Sequence, residues 1–334
     1  MIITKTPFRV SFFGGGTDML EFFSKHGGAV ISTSIDKYCY VHVRHLPRFF
    51  DYRNQISYSK IERVNHTEEI VHPAVRECMK YLDMHELVIT YDADLPSRSG
   101  LGTSSSFAVG LLSAFYSMKG KYVDKRQLAK DAIYLERTLC NEAGGWQDQI
   151  AAAYGGLNKI EFYDNEFKVT PIVISSEKKR QLNENLMLFF TGFSRSSADI
   201  QCDTKKNIAS NEGRLKEMKQ LVNNAEIILT NKNSLLDDFG KLLDYGWELK
   251  RNTGKKISTE AIDEIYDKAK SAGAIGGKLL GAGGGGFLLL YVPLEKQISV
   301  RKTLEALLYV PFIFENNGVE VIYYNPEEYT PVNI

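Results

Sequence analysis

The 334-residue sequence lacks a surplus of either charge, with 41 Lys and Arg against 41 Asp and Glu. With no net field, the whole molecule draws in neither nucleic acid nor an anionic membrane. The expected partner is a small molecule. Long apolar runs are missing too: the strongest, residues 286–293, is well short of the ~20 residues of a membrane span. The opening MIITKTPFRVSFF holds Lys5 and Arg9 where a signal peptide needs an unbroken apolar core, so the expected location is the cytoplasm. Cysteine is sparse, and Cys39, Cys78, Cys140 and Cys202 form no C-x-x-C. That excludes a disulfide framework and a zinc knuckle and leaves buried, reduced thiols. His42 and His45 lie three apart in a strand-like segment and so face opposite ways, which removes them as a ligand pair. The P-loop spelling G-x-x-x-x-G-K-[ST] is absent, and with it a Walker-type phosphate site. No internal repeat or low-complexity tract is present.

The chain is longer than a single core usually serves, which predicts two packed lobes. Strand-like stretches rich in β-branched and aromatic residues cover 2–13, 29–44 and 86–91, with further strands expected at 157–162 and 186–191. Helices are expected over 126–143 and within GGWQDQIAAAYGG (144–156). From about 197 to 272 the chain turns charged and helical, with Leu215, Met218, Leu221, Val222, Ala225, Ile228 and Leu229 marking one apolar face. Strands at 286–292 and 319–324, around a helix over 298–308, complete the expectation. The change of texture places the division between residues 1–190 and 191–334.

The segment LPSRSGLGTSSSFAVGLLSAF (95–115) joins a glycine and hydroxyl cluster to a helix whose Phe107, Leu111, Phe115 and Met118 share a face. The helix should start near Thr103 or Ser104, with the oxygens of Thr103 to Ser106 at its cap and first turn. Free N–H groups and the helix dipole attract anions there, and Gly100 and Gly102 let a bulky ligand approach the backbone. Two other glycine loops flank it in sequence, RVSFFGGGTD (9–18) and GGKLLGAGGGGF (276–287). In the latter, Gly281, Gly283 and Gly286 spell the dinucleotide fingerprint but lead into a strand, the wrong context for it. Asp238, Phe239 and Gly240 spell D-F-G in a helical stretch, before the loop and without H-R-D, which excludes a protein kinase.

PSRSGLGTSSSFAV resembles the phosphate-binding motif of the GHMP small-molecule kinases, and the flanking loops resemble that family's N- and C-terminal motifs, in order. The resemblance runs from Lys5 to Tyr291. It implies an α+β fold of two lobes, the first with a left-handed βαβ unit and the second ferredoxin-like, with ATP and substrate between them. It also implies roles. Pro96, Gly100, Leu101, Gly102, Thr103, Ser104 and Ser105 would wrap the ATP phosphates. Ser104 and Glu136, the latter twelve positions before Asp148, would hold Mg²⁺, with Glu142 as the alternative carboxylate. Asp148 would face the attacking hydroxyl, Arg9 would pair with it, and Asp18 with Gly15, Gly16, Thr17, Gly283 and Gly284 would line the sugar.

Where galactokinases carry G-E-H-T-D-Y, this chain has Gly14-Gly15-Gly16-Thr17-Asp18-Met19. R-V-S-F-x-G-G-G-T-D is instead similar to kinases of D-glycero-D-manno-heptose 7-phosphate, with fucose kinases as relatives. That likeness implies phosphorylation of the anomeric C1 hydroxyl to the 1,7-bisphosphate, for nucleotide-heptose and surface polysaccharide. A substrate already carrying a dianion needs a further cation, for which Arg98, Arg195 and Lys278 are candidates. The rival readings are a kinase of L-fucose or another unphosphorylated hexose, and a non-catalytic sugar and ATP sensor. A homodimer is left open.

Overall fold

A computed structural model of the protein describes residues 1–97, 99–192 and 197–325. Its elements are, in order, β1 (Ile2–Phe13), α1 (Leu20–His26), β2 (Gly28–His45), β3 (Asn54–Ser57), β4 (Ile61–Val64), α2 (Pro73–Tyr81), β5 (Leu87–Ala93), α3 (Thr103–Met118), α4 (Lys125–Tyr134), a π turn (Leu135–Leu139), α5 (Gln147–Tyr154), β6 (Leu157–Tyr163) and β7 (Glu166–Pro171). Then follow α6 (Ser176–Glu184), β8 (Leu186–Phe190), α7 (Ser197–Lys206), α8 (Glu212–Thr230), α9 (Asp237–Arg251), α10 (Glu260–Ser271), β9 (Gly276–Leu279), β10 (Phe287–Tyr291), α11 (Gln297–Thr303), β11 (Leu308–Tyr309), β12 (Phe314–Glu315) and β13 (Glu320–Tyr324).

Among the described residues the first sheet has nine strands, with the path β13-β1-β2-β5-β3-β4, with β6 and β12 added along β2 and β7 paired to β6. β1 and β2 pair antiparallel from Ile2 opposite Val43 to Phe13 opposite Ile31, and this long ribbon carries both the core and Arg9. β3 and β5 are parallel, joined through β4 and α2. The second sheet has the order β11-β8-β10-β9, all antiparallel. Helices separate its first strand from its second and its third from its fourth, which is the ferredoxin-like arrangement.

The division after residue 190 is corrected by this pairing. β8 belongs to the second sheet, and β12 and β13 return to the first. An apolar run such as LMLFF suits either sheet, and only its partners, about 100 residues away in β10, decide. The two crossings lie side by side: Asn183 Nδ2 donates to Phe312 O (3.1 Å), and Phe314 N donates to Asn183 Oδ1 (2.8 Å). Between the sheets runs a shared core in which the Phe12 and Phe13 rings meet Phe239 edge-on at 5.3 and 5.1 Å.

α3 is buried nearly all round, not on one face, because α2, α4 and α5 cover the side away from the sheet. Gly110 brings it onto β1, where a Cβ would sit 2.8 Å from Thr6 Oγ1. The helix expected over 126–143 gives way to the π turn after Tyr134, and the one expected over 298–308 ends at Thr303. Cys39 and Cys78 are buried as expected, Cys140 is partly so, and Cys202 is exposed, a correction that follows from its place on the charged helix α7.

Candidate active site at the glycine loops

Arg9 projects from β1 with its side chain only 5% exposed. Its backbone N–H donates to Leu101 O (3.0 Å) and its Nη1 to Gly100 O (2.7 Å), so strand and phosphate loop are joined twice at one residue. Nε and Nη2 then grip Asp148 in a bidentate pair, at 2.8 Å to Oδ1 and 2.7 Å to Oδ2. Gln147 Nε2 donates to the same Oδ1 (3.1 Å) and is itself held by Ser11 Oγ donating to Gln147 Oε1 (2.7 Å). Asp148 sits in the first turn of α5 with a side chain 25% exposed. The carboxylate is thus fixed in direction yet open on one side.

Asp18 is buried beside it. Its Oδ1 accepts from Gly16 N (2.9 Å) and its Oδ2 from Gln147 N (3.2 Å), while its carbonyl accepts from Trp146 N (3.0 Å). A Cβ on Gly145 would lie 1.8 Å from Asp18 Oδ2, which is why glycine precedes Trp146. Burial, and then the charge of Asp148, raise the Asp18 pKa, and the backbone donors only partly offset this. Gly15 has open space where a Cβ would point, and Gly16 turns with φ +95°. Thr17 is placed otherwise than expected. Its hydroxyl is buried, donating to Gly14 O (2.7 Å) and bonded to Ala29, so it shapes the turn instead of facing the sugar.

The phosphate loop departs from the expected capping. The N-cap of α3 is Gly102, left-handed at φ 76°, and no side chain caps the helix. Ser104 Oγ donates instead to Glu136 Oε1 (2.8 Å), Ser105 Oγ to Glu136 Oε2 (2.7 Å) and Ser106 Oγ to the Pro7 carbonyl (2.9 Å). The first-turn N–H groups therefore keep their donors for a ligand. Thr103 and Leu101 are buried and Pro96 is exposed at the loop's entrance.

Glu136 reaches the serines from the π turn, an insertion of the kind often found at functional sites. Gln149 Nε2 also donates to its Oε2. A serine oxygen next to a carboxylate is a hard donor set that fits Mg²⁺ sharing nucleotide oxygens. Among the described residues no three His, Cys, Asp or Glu cluster as a metal cage. Glu142, the alternative, is exposed, with its pKa raised by partial loss of hydration and then by Glu136, and its N–H donates to Glu136 O (2.9 Å).

The third glycine loop closes against the second. A Cβ on Gly281 would lie 2.4 Å from Gly100 Cα, and one on Gly286 would lie 2.4 Å from Ser99 O. Gly283 and Gly284 pack on Ile257, Gly284 N donating to Ile257 O (2.9 Å). Of the cations considered for a second phosphate, Arg98 and Arg195 lie outside the described residues. Lys278 is buried, its Nζ donating to Phe12 O (2.8 Å), and burial pushes its pKa well down, with Lys250 and Arg9 adding to the effect.

That depression makes a stability prediction. Between the folded pKa of Lys278 and ~10.4 the unfolded chain binds more protons, so wild-type stability rises with pH in that window. The urea midpoint of wild type minus that of Lys278→Met should grow from pH 7 to pH 10. A difference flat in pH would show that Lys278 is not desolvated in the fold.

Sequence reasoning missed Lys250, which lies on α9 with its Nζ bonded to Gly281 O. Nothing local marks it, since WELKR reads as an amphipathic helix end. Gln147 was missed as well, though its place beside Asp148 was a signal.

The GHMP kinases N terminal domain family matches residues 69–156, and the GHMP kinases C terminal family matches 229–309. The chain is 32% identical to the D-glycero-alpha-D-manno-heptose 7-phosphate kinase of Campylobacter jejuni, across 96% of this chain and 98% of that one. It is 30% identical to the L-fucokinase/L-fucose-1-P guanylyltransferase of Bacteroides fragilis over 64% of this chain but 23% of that protein. In fold it is similar to the crystal structure of a D-glycero-D-manno-heptose 1-phosphate kinase from Bacteroides thetaiotaomicron, at a TM-score of 0.79 and 23% identity, covering 97% and 99% of the two chains.

Proposed function

This chain belongs to the GHMP kinase family, and from that premise we propose that it transfers the γ-phosphoryl group of ATP to the C1 hydroxyl of D-glycero-D-manno-heptose 7-phosphate. The product is the 1,7-bisphosphate, a precursor for nucleotide-activated heptose in surface polysaccharide, made in the cytoplasm where ATP is abundant. The observation carrying the chemistry is the bidentate Arg9–Asp148 pair, whose open carboxylate edge stands beside buried Asp18 and the uncapped start of α3. The observation carrying the substrate is the full-length likeness to the 7-phosphate kinase. The fucokinase likeness covers about two thirds of this chain and supports only a sugar acceptor.

In the reaction the C1 oxygen attacks the γ-phosphorus, the bond to the β,γ-bridging oxygen breaks, and ADP leaves with that electron pair. Asp148 accepts the hydroxyl proton. Phosphoryl transfer passes through a loose transition state, so alignment outweighs proton removal. Positioning supplies roughly 7–11 kcal/mol against about 3–5 for a base. Arg9 aligns Asp148, Asp18 orients the sugar, and the N–H groups of Gly102 to Ser105 hold the nucleotide phosphates. Mg²⁺ arriving with ATP would be held by Ser104 and Glu136 and would offset phosphate charge.

A coupled ADP-release assay with Mg-ATP should give kcat/KM at least about tenfold higher for the heptose 7-phosphate than for the unphosphorylated heptose, L-fucose, D-mannose or D-galactose, because one charged hydrogen bond is worth about 1.5–3 kcal/mol. Preference for a free sugar would overturn the substrate and keep the chemistry.

A further inference from the structure

The paired groups around Asp148 leave a cation without a carboxylate. Lys250 Nζ, partly buried at the end of α9, donates to Gly281 O and lies 3.4 Å from Leu279 O. Among the described residues no Asp or Glu stands within ion-pair distance of it. Arg9 likewise anchors on a glycine carbonyl, Gly100 O (2.7 Å), and Gly100 and Gly281 touch, backbone to backbone. Two cations, one from each sheet's side, are therefore moored on adjoining loops at the uncapped start of α3. The charged groups that act on Lys250 are Arg9, Asp18 and Asp148, and Lys250 in turn acts on buried Lys278. Lys250 thus stands beside Arg9, whose guanidinium is already committed to Asp148, and beside Asp18, whose charge burial opposes. Such an imbalance in a poorly solvated site is relieved by a polyanion.

We propose that Lys250 is a catalytic residue of the kinase, donating from Nζ to the phosphoryl group as it passes from ATP to the sugar oxygen and complementing Arg9 from the second lobe. This rests on the phosphotransfer reading above. The tether to Gly281 O fixes the ammonium where charge develops and not in bulk water, the condition under which one donor contributes most to a rate. Burial and the neighbouring Arg9 lower the Lys250 pKa to about 8, while Asp18 and Asp148 pull it back up. In the free enzyme the active, protonated form is therefore lost as pH rises through about 8.

The test uses the full chain as wild type, Lys250→Met and Lys250→Arg, each checked for an unchanged thermal midpoint. Binding of Mg-ADP is measured with and without aluminium fluoride, a planar mimic of the moving phosphoryl group, and needs no sugar. Aluminium fluoride should tighten Mg-ADP binding to wild type and Lys250→Arg, and tighten it at least about thirtyfold less in Lys250→Met, with Mg-ADP alone unaffected. With whichever sugar wild type turns over, kcat should fall about 10²–10³-fold in Lys250→Met with KM for ATP little changed. The alkaline fall in kcat/KM near pH 8 should vanish in Lys250→Arg. Equal tightening by aluminium fluoride in Lys250→Met overturns the inference. So does a rise in KM confined to a phosphorylated sugar, which would put Lys250 on the substrate's own phosphate. If the proteins fail on every sugar but the aluminium fluoride effect holds, the acceptor assignment fails and Lys250 stands. A misfolded Lys250→Met would pass the binding test to Lys250→Gln.

Discussion

Asp148→Asn should retain wild-type affinity for Mg-ATP and lose turnover by about 10²–10⁴-fold, the range a positioned base contributes. Asparagine keeps the shape and one acceptor for Arg9, so the bidentate grip weakens without the loop moving. It cannot take the proton of the attacking hydroxyl. Nucleotide affinity by calorimetry and turnover by ADP release separate the two effects. Turnover within a factor of three of wild type would remove Asp148 from the proton path.

Arg9→Met should be as damaging by another route. It strips Asp148 of two donors and Gly100 O of its side-chain bond, leaving the phosphate loop held to the strand through the residue 9 N–H on Leu101 O. Removing one partner of a fully buried pair costs about 3–5 kcal/mol, and the solvent reaching Asp148 should bring this to about 1–3 kcal/mol. A fall of about 10²–10³ in kcat should accompany it, since both alignment and charge stabilisation are lost. Because the two residues act as a unit, Arg9→Met with Asp148→Asn should be hardly worse than the poorer single variant. Multiplying losses would show that they act independently.

Much of this site was legible because its parts are local. The start of α3, the glycines that let backbones meet, and the order of the three loops can each be read within about ten residues. In the structure Arg9 pairs with Asp148, Asp18 accepts from the neighbouring Gln147 N–H, and Ser104 bonds to Glu136. What escaped reading depends on distant partners. The serines after Gly102 looked like caps because cap preference is a local rule, yet Ser104 and Ser105 turn their hydroxyls to Glu136 and Ser106 turns its hydroxyl to the Pro7 carbonyl. The π turn is invisible to a 3.6-residue period, which simply continues through 135–139. Thr17 carries the same letter whether it faces a ligand or a turn, and only Ala29 across the ribbon decides. Lys250 looks like any lysine at a helix end until the third loop is seen to reach it.

The side-by-side crossings clipped by Asn183 have a mechanical meaning. Two covalent links joined along one line set the axis about which the sheets would rotate, like a book about its spine, with the shared core of Phe12, Phe13 and Phe239 resisting the opening. The facing edges of the pages carry Gly100 with Ser99 on one side and Gly281 with Gly286 on the other. Opening the book would part those backbones and carry Lys250 away from Arg9, so release of ADP and disassembly of the charged centre become one event, and a stiffer spine would slow turnover without touching chemistry.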